Sequence, residues 1–560
     1  MEFRLKAFTR PGSRFVMAAS VAMLCGVIAS AAFAAGRQGG ALPAAMPPWA
    51  ANDPLIQLAA SRFPDLTGCE LIVLHGASTG AASSCAPQNS KIPDALRSEA
   101  SNDPARGSAW SSDREVRADL LRWLFLDRQA RQYLDPSGVR IRAARIPDRV
   151  DLHNFTIPVE LEIDHSYLPR GIDLRGAKIP GLRLLNSYSG QLRLGAIAVT
   201  HDLDLEGDAF SGVSYLPGLI DLTSAQIGGF LMLGESRVTL GAAAGQTAIG
   251  AMGLSVRQNA SLWGLQTDGV VDLRNANINA DLEIEYAKFL GAGLTGLEAQ
   301  NVTVKDALIW NKVAVTPNTI FDVTDARVGS LIDDDKSWPH PGKLYIDGFV
   351  YSRLTCDGDN TLPFTEFTNC RLNVASRLKW LGLQPSGTYY PQPYLQLAAI
   401  LKARGDLSGA RRVLIAGQNA QMRLGHLSLA QRLWGWLLWA TIDYGYESYW
   451  ALLWAALLVV IGGVFVRMGH DAGVMKPVEP VRKQAAPLVY SLDVFTPIVD
   501  LRLQRNWWPD PTKSGTATLL GRKITVRGSI LRAYLWFHIV AGYILTVLFV
   551  AGVSGLVHSV

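Results

Sequence analysis

Across residues 138–350 the chain repeats a short apolar-polar-apolar triplet. It reads Val150-Asp151-Leu152, Ile172-Asp173-Leu174, Leu182-Arg183-Leu184, Leu192-Arg193-Leu194, Leu203-Asp204-Leu205, Ile220-Asp221-Leu222, Val271-Asp272-Leu273 and Leu282-Glu283-Ile284, often at intervals of ten or eleven residues. In each triplet the outer side chains of a very short strand face one way and the central one the other. A second element follows a few residues later, a small Ala two positions before a bulkier residue: Ala177-Lys178-Ile179, Ala225-Gln226-Ile227, Ala276-Asn277-Ile278, Ala287-Lys288-Phe289 and Ala326-Arg327-Val328. No helix-length apolar period runs through the region. The pattern predicts a mainly β chain built on a β-solenoid, each coil burying its inner face on the next.

The flanks carry other periods. Val116, Leu120, Leu121, Leu124 and Phe125 form an apolar stripe at helical spacing behind Ser112-Asp113-Arg114-Glu115. They predict a helix that caps the solenoid at the end of an otherwise irregular lead, 35–137. After a connector at 351–391, residues 392–447 read as a helical hairpin turning at Gly405-Asp406. An interfacial helix follows, with Leu429, Leu433, Trp436, Leu437 and Trp439 on one face. Three stretches lack Lys, Arg, Asp and Glu over about a membrane's width: 15–36, 448–466 and 533–560. The first follows Arg4, Lys6, Arg10 and Arg14 and ends in Ala32-Phe33-Ala34, so 1–34 is a signal segment. The other two are transmembrane helices. The segment between them, 467–532, holds 11 Lys/Arg against 5 Asp/Glu and is expected in the cytoplasm. The solenoid then faces the periplasm from a bacterial inner membrane.

The Ala-x-Ile/Val/Phe elements resemble degenerate pentapeptide repeats, which implies a right-handed, four-sided β-helix. Residues 113–560 are more widely similar to a family of bacterial membrane proteins often labelled "membrane-associated oxidoreductase". The phrases that carry this resemblance are Asp347-Gly348-Phe349-Val350-Tyr351, Pro391-Gln392-Pro393-Tyr394, Ala410-Arg411-Arg412-Val413-Leu414-Ile415 and Tyr490-Ser491-Leu492-Asp493. The enzymatic half of the label finds no motif. Gly291-Ala292-Gly293-Leu294-Thr295-Gly296 matches G-x-G-x-x-G, but it lies between triplets rather than between a strand and a helix of a βαβ unit. There is no C-x-x-C, and nine histidines form no ligand spacing. No catalytic residue, metal or cofactor is expected.

Composition changes this picture at few points. A net charge of +5 on scattered basic residues, without a basic stripe carrying aromatics, excludes nucleic acid as an expected partner. Cys69, Cys85, Cys356 and Cys370 lie in the exported region. Four cysteines allow three connectivities, of which local pairing, 69 with 85 and 356 with 370, is the simplest. Asp173, Asp204, Asp221 and Asp272, at triplet centres, are expected in outward columns. Such columns form either a binding face for polysaccharide, peptide or calcium, or a solvated face that discourages edge pairing. Asp333-Asp334-Asp335 reads as a solvated loop. The stretch 490–500, broken by Pro497 and carrying Asp493 and Asp500, reads as an amphipathic element on the membrane face or as a re-entrant segment.

The expected function is a non-enzymatic scaffold or binding module for an envelope protein or glycan, anchored in the lipid bilayer. A channel or sensor gated by the solenoid is the alternative. It needs a homo-oligomer, because two helices cannot enclose a pore. An envelope enzyme on a β-helix is a third reading. The topology has a direct test. A reporter active only in the periplasm is expected to work when fused near residue 380 and to fail near 485. The reverse pattern would place the solenoid in the cytoplasm.

Overall fold

The computed structural model describes residues 48–86, 102–211, 218–241, 246–355, 373–477, 486–496, 501, 503, 507–519 and 521–554. The signal segment, Cys356, Cys370 and Asp500 lie outside the described residues.

The triplets build a parallel β-solenoid with four strand positions per coil. In one coil Ile172–Asp173 lies on a first face, Lys178–Ile179 on a second, Leu182–Leu185 on a third and Tyr188–Ser189 on a fourth. Leu192–Arg193 then returns to face 1. Face 1 is a nine-stranded ladder. It stacks Val150, Ile172, Leu192, Ile220, Ile249, Val271, Leu297, Phe321 and Leu344 into one inward column. The ten-residue interval is therefore half a coil, because successive triplets alternate between face 1 and face 3. A full coil takes from 20 residues (Ile172 to Leu192) to 29 (Ile220 to Ile249).

The corners explain the rest of the repeat. Between faces 1 and 2 the chain turns through a left-handed residue in every coil: Asn154, Gly176, Ala196, Ser224, Gly253, Asn275, Asn301, Asp325 and Gly348. A non-Gly residue there costs about 1–2 kcal/mol. The triplet aspartates offset part of it by accepting the N–H two residues on, inside the turn. Asp173 accepts from Arg175 at 3.3 Å, Asp221 from Thr223 at 3.0 Å and Asp272 from Arg274 at 3.1 Å. The residue after the turn points inward, and Ala177, Ala225, Ala276 and Ala326 are buried there. A second left-handed column separates faces 3 and 4. Behind it runs a buried polar ladder. Ser166 accepts from the Ala144 N–H, Ser187 from Ser166, Asp208 from Ser187 and Ser236 from Asp208, at 2.6–3.1 Å. Burial pushes the Asp208 carboxyl well above its usual range. Of the glycines in the G-x-G-x-x-G match, only Gly296 has positive φ, and it sits in the strand Thr295–Glu298 with no helix after it.

Both ends of the solenoid are capped. The lead is not irregular: it forms the helices Pro54–Arg62 and Gly68–Thr79, and the strand Ser83–Ser84 adds a parallel rung beside Ile141–Arg142 on face 3. A disulfide joins Cys69 to Cys85, with Cα atoms 5.1 Å apart, and so ties helix to strand. Cys69 lies on the helix rather than in a loop. The predicted cap helix spans Ala118–Leu126, and Ser112–Arg114 is only a 3-10 turn. Its first donor is satisfied from elsewhere in the chain. The buried Glu70 accepts the Arg117 N–H at 3.0 Å and the Arg117 guanidinium at 2.7 Å.

At the other end Asp333 and Asp334 are buried, which corrects the solvated-loop reading. Asp333 takes both guanidinium nitrogens of Arg377, at 2.5 and 2.7 Å, and the Trp338 indole at 2.8 Å. Arg377 stands on the helix Val374–Leu381. The predicted hairpin, Gln392–Ala403 and Leu407–Leu424, follows. Gln392, Gln396 and Arg404 donate to the carbonyls of Phe349, Tyr351 and Leu354, closing the last coil. Beyond it come Leu429–Ile442 and two helices long and apolar enough to cross a membrane, Tyr449–Asp471 and Gly528–Val553.

The buried Asp333–Arg377 pair predicts a large cost for breaking one side. Asp333→Ala removes both carboxylate bonds from a buried guanidinium and is expected to cost about 3–5 kcal/mol. Adding Arg377→Met should recover much of it. Thermal unfolding of the full chain in detergent, followed by tryptophan fluorescence, reads both. An unchanged midpoint for Asp333→Ala would contradict the assigned cap.

Candidate functional site

The aspartates expected to share one outward face do not. Asp173, Asp221 and Asp272 stand in a single column of face 1, beside Ile172, Ile220 and Val271. Asp204 belongs to face 3. All four are nearly buried, exposing 3 %, 7 %, 6 % and 9 % in that order. They fold back onto their own turns, so the prediction of projecting carboxylates is corrected. Two of the three face 1 carboxylates are also neutralised locally. Arg175 makes two bonds to Asp173, at 2.9 and 2.7 Å, and Arg274 two to Asp272, at 2.9 and 2.6 Å. Burial alone would raise the Asp173 carboxyl, but its bonds from Arg175 hold it below the usual range.

Face 3 is different. Its outward positions form rows stacked by the ladder: Asp202, Asp204 and Glu206; then Phe230, Met232 and Gly234; then Asn259, Ser261 and Trp263; then Asp281, Glu283 and Glu285. Two acidic rows thus flank an apolar and polar platform, three rungs apart, or about 14 Å at the usual strand spacing. Phe230 and Trp263 are 38 % and 41 % exposed. Trp263 meets the edge of Tyr286 at 5.6 Å, and Lys312 Nζ lies 4.7 Å over the Tyr286 ring.

Cations pair with Glu162 and Asp164 nearer the N-terminal end of the face. Among the described residues, none of Asp204, Glu206, Glu235, Glu283 and Glu285 has a cation within 4.0 Å. The electrostatics follow. Burial, then the neighbouring Glu206, push the Asp204 carboxyl up to about 6. Burial and Glu235 raise Glu206, and burial and Glu283 raise Glu285. Asp204 was legible in the triplets. Glu206, Glu235, Glu285, Phe230 and Trp263 were not, although Glu206 and Glu285 each follow a triplet centre by two residues, which keeps them on the same side of a strand.

The stretch near Asp493 is buried on one face, through Tyr490, Asp493 and Val494, and exposes Leu488, Val489 and Leu492 on the other. Its helix, Pro487–Phe495, packs in the cleft between the two long helices. Close approach is possible because Gly462, Gly463 and Gly542 face it. A Cβ on any of them would overlap Ser491, Leu488 or the Phe495 carbonyl. Ser491 Oγ donates to the Val459 carbonyl at 2.8 Å and lies 3.0 Å from His538 Nε2. Asp493 is buried and accepts the backbone N–H groups of Leu501 and Leu503, the latter at 2.8 Å, so it holds the returning chain.

Among the described residues no group of three or more His, Cys, Asp or Glu side chains could hold a metal ion. Compared with family models, curated proteins and solved structures, the chain matches none.

The raised Asp204 carboxyl makes stability depend on pH with a defined sign. Between its ordinary value near 4 and about 6 the folded state holds the proton more tightly than the unfolded state. Stability from this group is full below that window and is lost as pH rises through it. Asp204→Asn keeps the turn acceptor without the charge. It is expected to stabilise the chain at pH 7.5 by about 1–2 kcal/mol, after allowance for solvent screening. At pH 4 it should have no effect. Thermal midpoints at the two pH values test this, and a destabilised variant at pH 7.5 would refute it.

Proposed function

We propose that the protein is a non-enzymatic scaffold of the pentapeptide-repeat-like membrane family, anchored by its two long helices, whose face 3 docks a cationic, amphipathic segment of an envelope protein. The observation that carries this reading is the pair of acidic rows around Phe230, Met232 and Trp263, whose carboxylates Asp204, Glu206, Glu283 and Glu285 have no cation within 4.0 Å among the described residues. Lysine or arginine side chains of a partner would meet carboxylates on both sides while its apolar side chains cover the platform. Charge complementarity of this kind gives orientation and on-rate. On face 1 Asp173 and Asp272 are already paired with arginines, which leaves a weaker attraction there. The solenoid's exposure to the periplasm is part of the proposal and follows from the basic balance of residues 467–532.

The oligomeric channel or sensor keeps one supporting observation, the polar pair Ser491–His538 between the long helices. Against it stands the structural work of Asp493, whose carboxylate is occupied by backbone donors.

A photo-crosslinking amino acid at position 263, with a control at Lys288 on face 4, tests the scaffold reading. The expected product is a single protein crosslinked from position 263 only, through a segment rich in Lys or Arg. It should be lost in Glu206→Lys/Glu283→Lys and weaken as salt rises from 0.1 to 1 M, where the screening length falls from about 10 Å to about 3 Å. A product insensitive to salt and to both reversals, or capture of a neutral glycan instead, would overturn the proposal.

A further inference from the structure

A cavity of about 880 Å³, open on one side, lies where the helical tail of the solenoid meets the second long helix. Its walls come from Gln392–Ala403, Leu407–Leu424, Leu429–Ile442, the turn Asp443–Gly445 and the last turns of Gly528–Val553. The volume sits in the range of small-ligand sites, about 300–1,000 Å³. The lining is mixed in chemistry. Leu414, Leu438, Val547 and Leu548 contribute hydrocarbon. Tyr389, Tyr394, Gln418 and Gln421 contribute polar groups, the two glutamines from the same helix face as Leu414. All four side chains are partly exposed, and none of their hydroxyls or amides is engaged by another described residue. They are placed to hydrogen-bond a ligand with several polar atoms. Among the described residues no Lys, Arg, Asp or Glu lines the space.

The position of the cavity narrows the ligand further. Val547 and Leu548 belong to the end of the second long helix nearest the solenoid, and Trp434 is on the Trp-rich helix beside it. Tyrosine and tryptophan favour the headgroup level, where one end of the ring is apolar and the other wet. With the two long helices across a bilayer, the mouth of the cavity meets the outer headgroup layer.

We propose that this cavity binds a bilayer lipid with an uncharged headgroup, of the diacylglycerol class. The acyl chain lies along Leu414, Val547 and Leu548, and the glycerol hydroxyl and ester carbonyls meet Tyr389, Tyr394, Gln418 and Gln421. A phosphate-bearing lipid fits less well, because burying its charge without a counter-charge is costly. The inference rests on the membrane reading of the long helices and is independent of the docking face.

The experiment uses the full chain in vesicles of phosphatidylethanolamine and phosphatidylglycerol, doped with a diacylglycerol that carries a diazirine at the end of one acyl chain. After irradiation, label is mapped by peptide mass. It is expected on residues 389–421 and 547–551. Ala551→Trp and Leu414→Trp, which fill the cavity from two different helices, should each lower it about tenfold. Label on the exposed Trp536 and Val540 should be unchanged in both, which also reports that the helices remain inserted. Gln421→Leu, close to isosteric, should reduce the preference for this probe over a phosphatidic acid probe with the same chain. Label confined to Trp536 and Val540, equal labelling by the two probes in the unmodified chain, or indifference to both tryptophan substitutions would overturn the proposal.

Discussion

Every coil depends on its neighbours for the hydrogen bonds of its main chain. A strand of two residues cannot satisfy its own N–H and C=O groups, and in a parallel ladder the partners lie one coil above and one below. The repeat, the corners and the two caps are answers to that requirement. Coils of 20 and 29 residues still superpose Ile172 on Leu192 and Ile220 on Ile249, because the ladder holds them in register despite their unequal length. Because the ladder must end, each end borrows donors and acceptors from elsewhere. Ser83–Ser84 adds a rung at one end, and Gln392, Gln396 and Arg404 close carbonyls at the other. Exposed edges of this kind otherwise invite pairing with another chain.

The same requirement explains what could be read from the chain alone. Triplets such as Leu203-Asp204-Leu205 announce short strands, because alternation is a property of three consecutive residues. The half-coil was harder to see. Faces 1 and 3 use the same triplet, so a ten-residue interval looks like a period although the ladder repeats at twice that distance or more. The job of the aspartates was hidden for a different reason. An aspartate followed by a left-handed residue three positions on is a turn device, but Ser224 after Asp221 and Asn275 after Asp272 do not advertise positive φ as glycine does. The N-terminal cap shows tertiary structure overriding local signal. Ser112-Asp113-Arg114-Glu115 has the residues of a helix start, yet the helix begins at Ala118. The acceptor for its first donor is Glu70, 47 residues away. No window of sequence contains both.

Charge illustrates how position decides the role of one residue type. Asp173 and Asp204 sit at equivalent points of identical triplets, and both accept an N–H from two residues on. Their surroundings pull them apart. On face 1 the residue after the turn's first leucine is Arg175, which reaches back to Asp173 and leaves the site neutral. On face 3 the same place is taken by Glu206, and the carboxylates reinforce one another. One substitution of type within the repeat therefore converts a self-contained turn into a source of negative potential. The acidic rows were illegible because stacking across unequal coils places Glu206 over Gly234, Trp263 and Glu285, and no constant spacing links those four.

The C-terminal cap joins two parts of the molecule that could otherwise move independently. Asp333 anchors Arg377 on the helix that leads into the hairpin, and the hairpin's own side chains then close the last coil. The chain between cap and first long helix is packed at several points, with Tyr444 donating to Asn419 and the cavity wall shared by hairpin and second helix. A solenoid is stiff along its axis because each coil contacts only its neighbours through continuous ladders. Fixing its final coil to the long helices therefore fixes the direction in which the whole stack projects. A partner held on face 3 would meet a surface whose orientation to the bilayer is set by a buried ion pair and a few carbonyl bonds. With both ends capped and every rung bonded to the next, displacement of one coil would have to carry its neighbours with it.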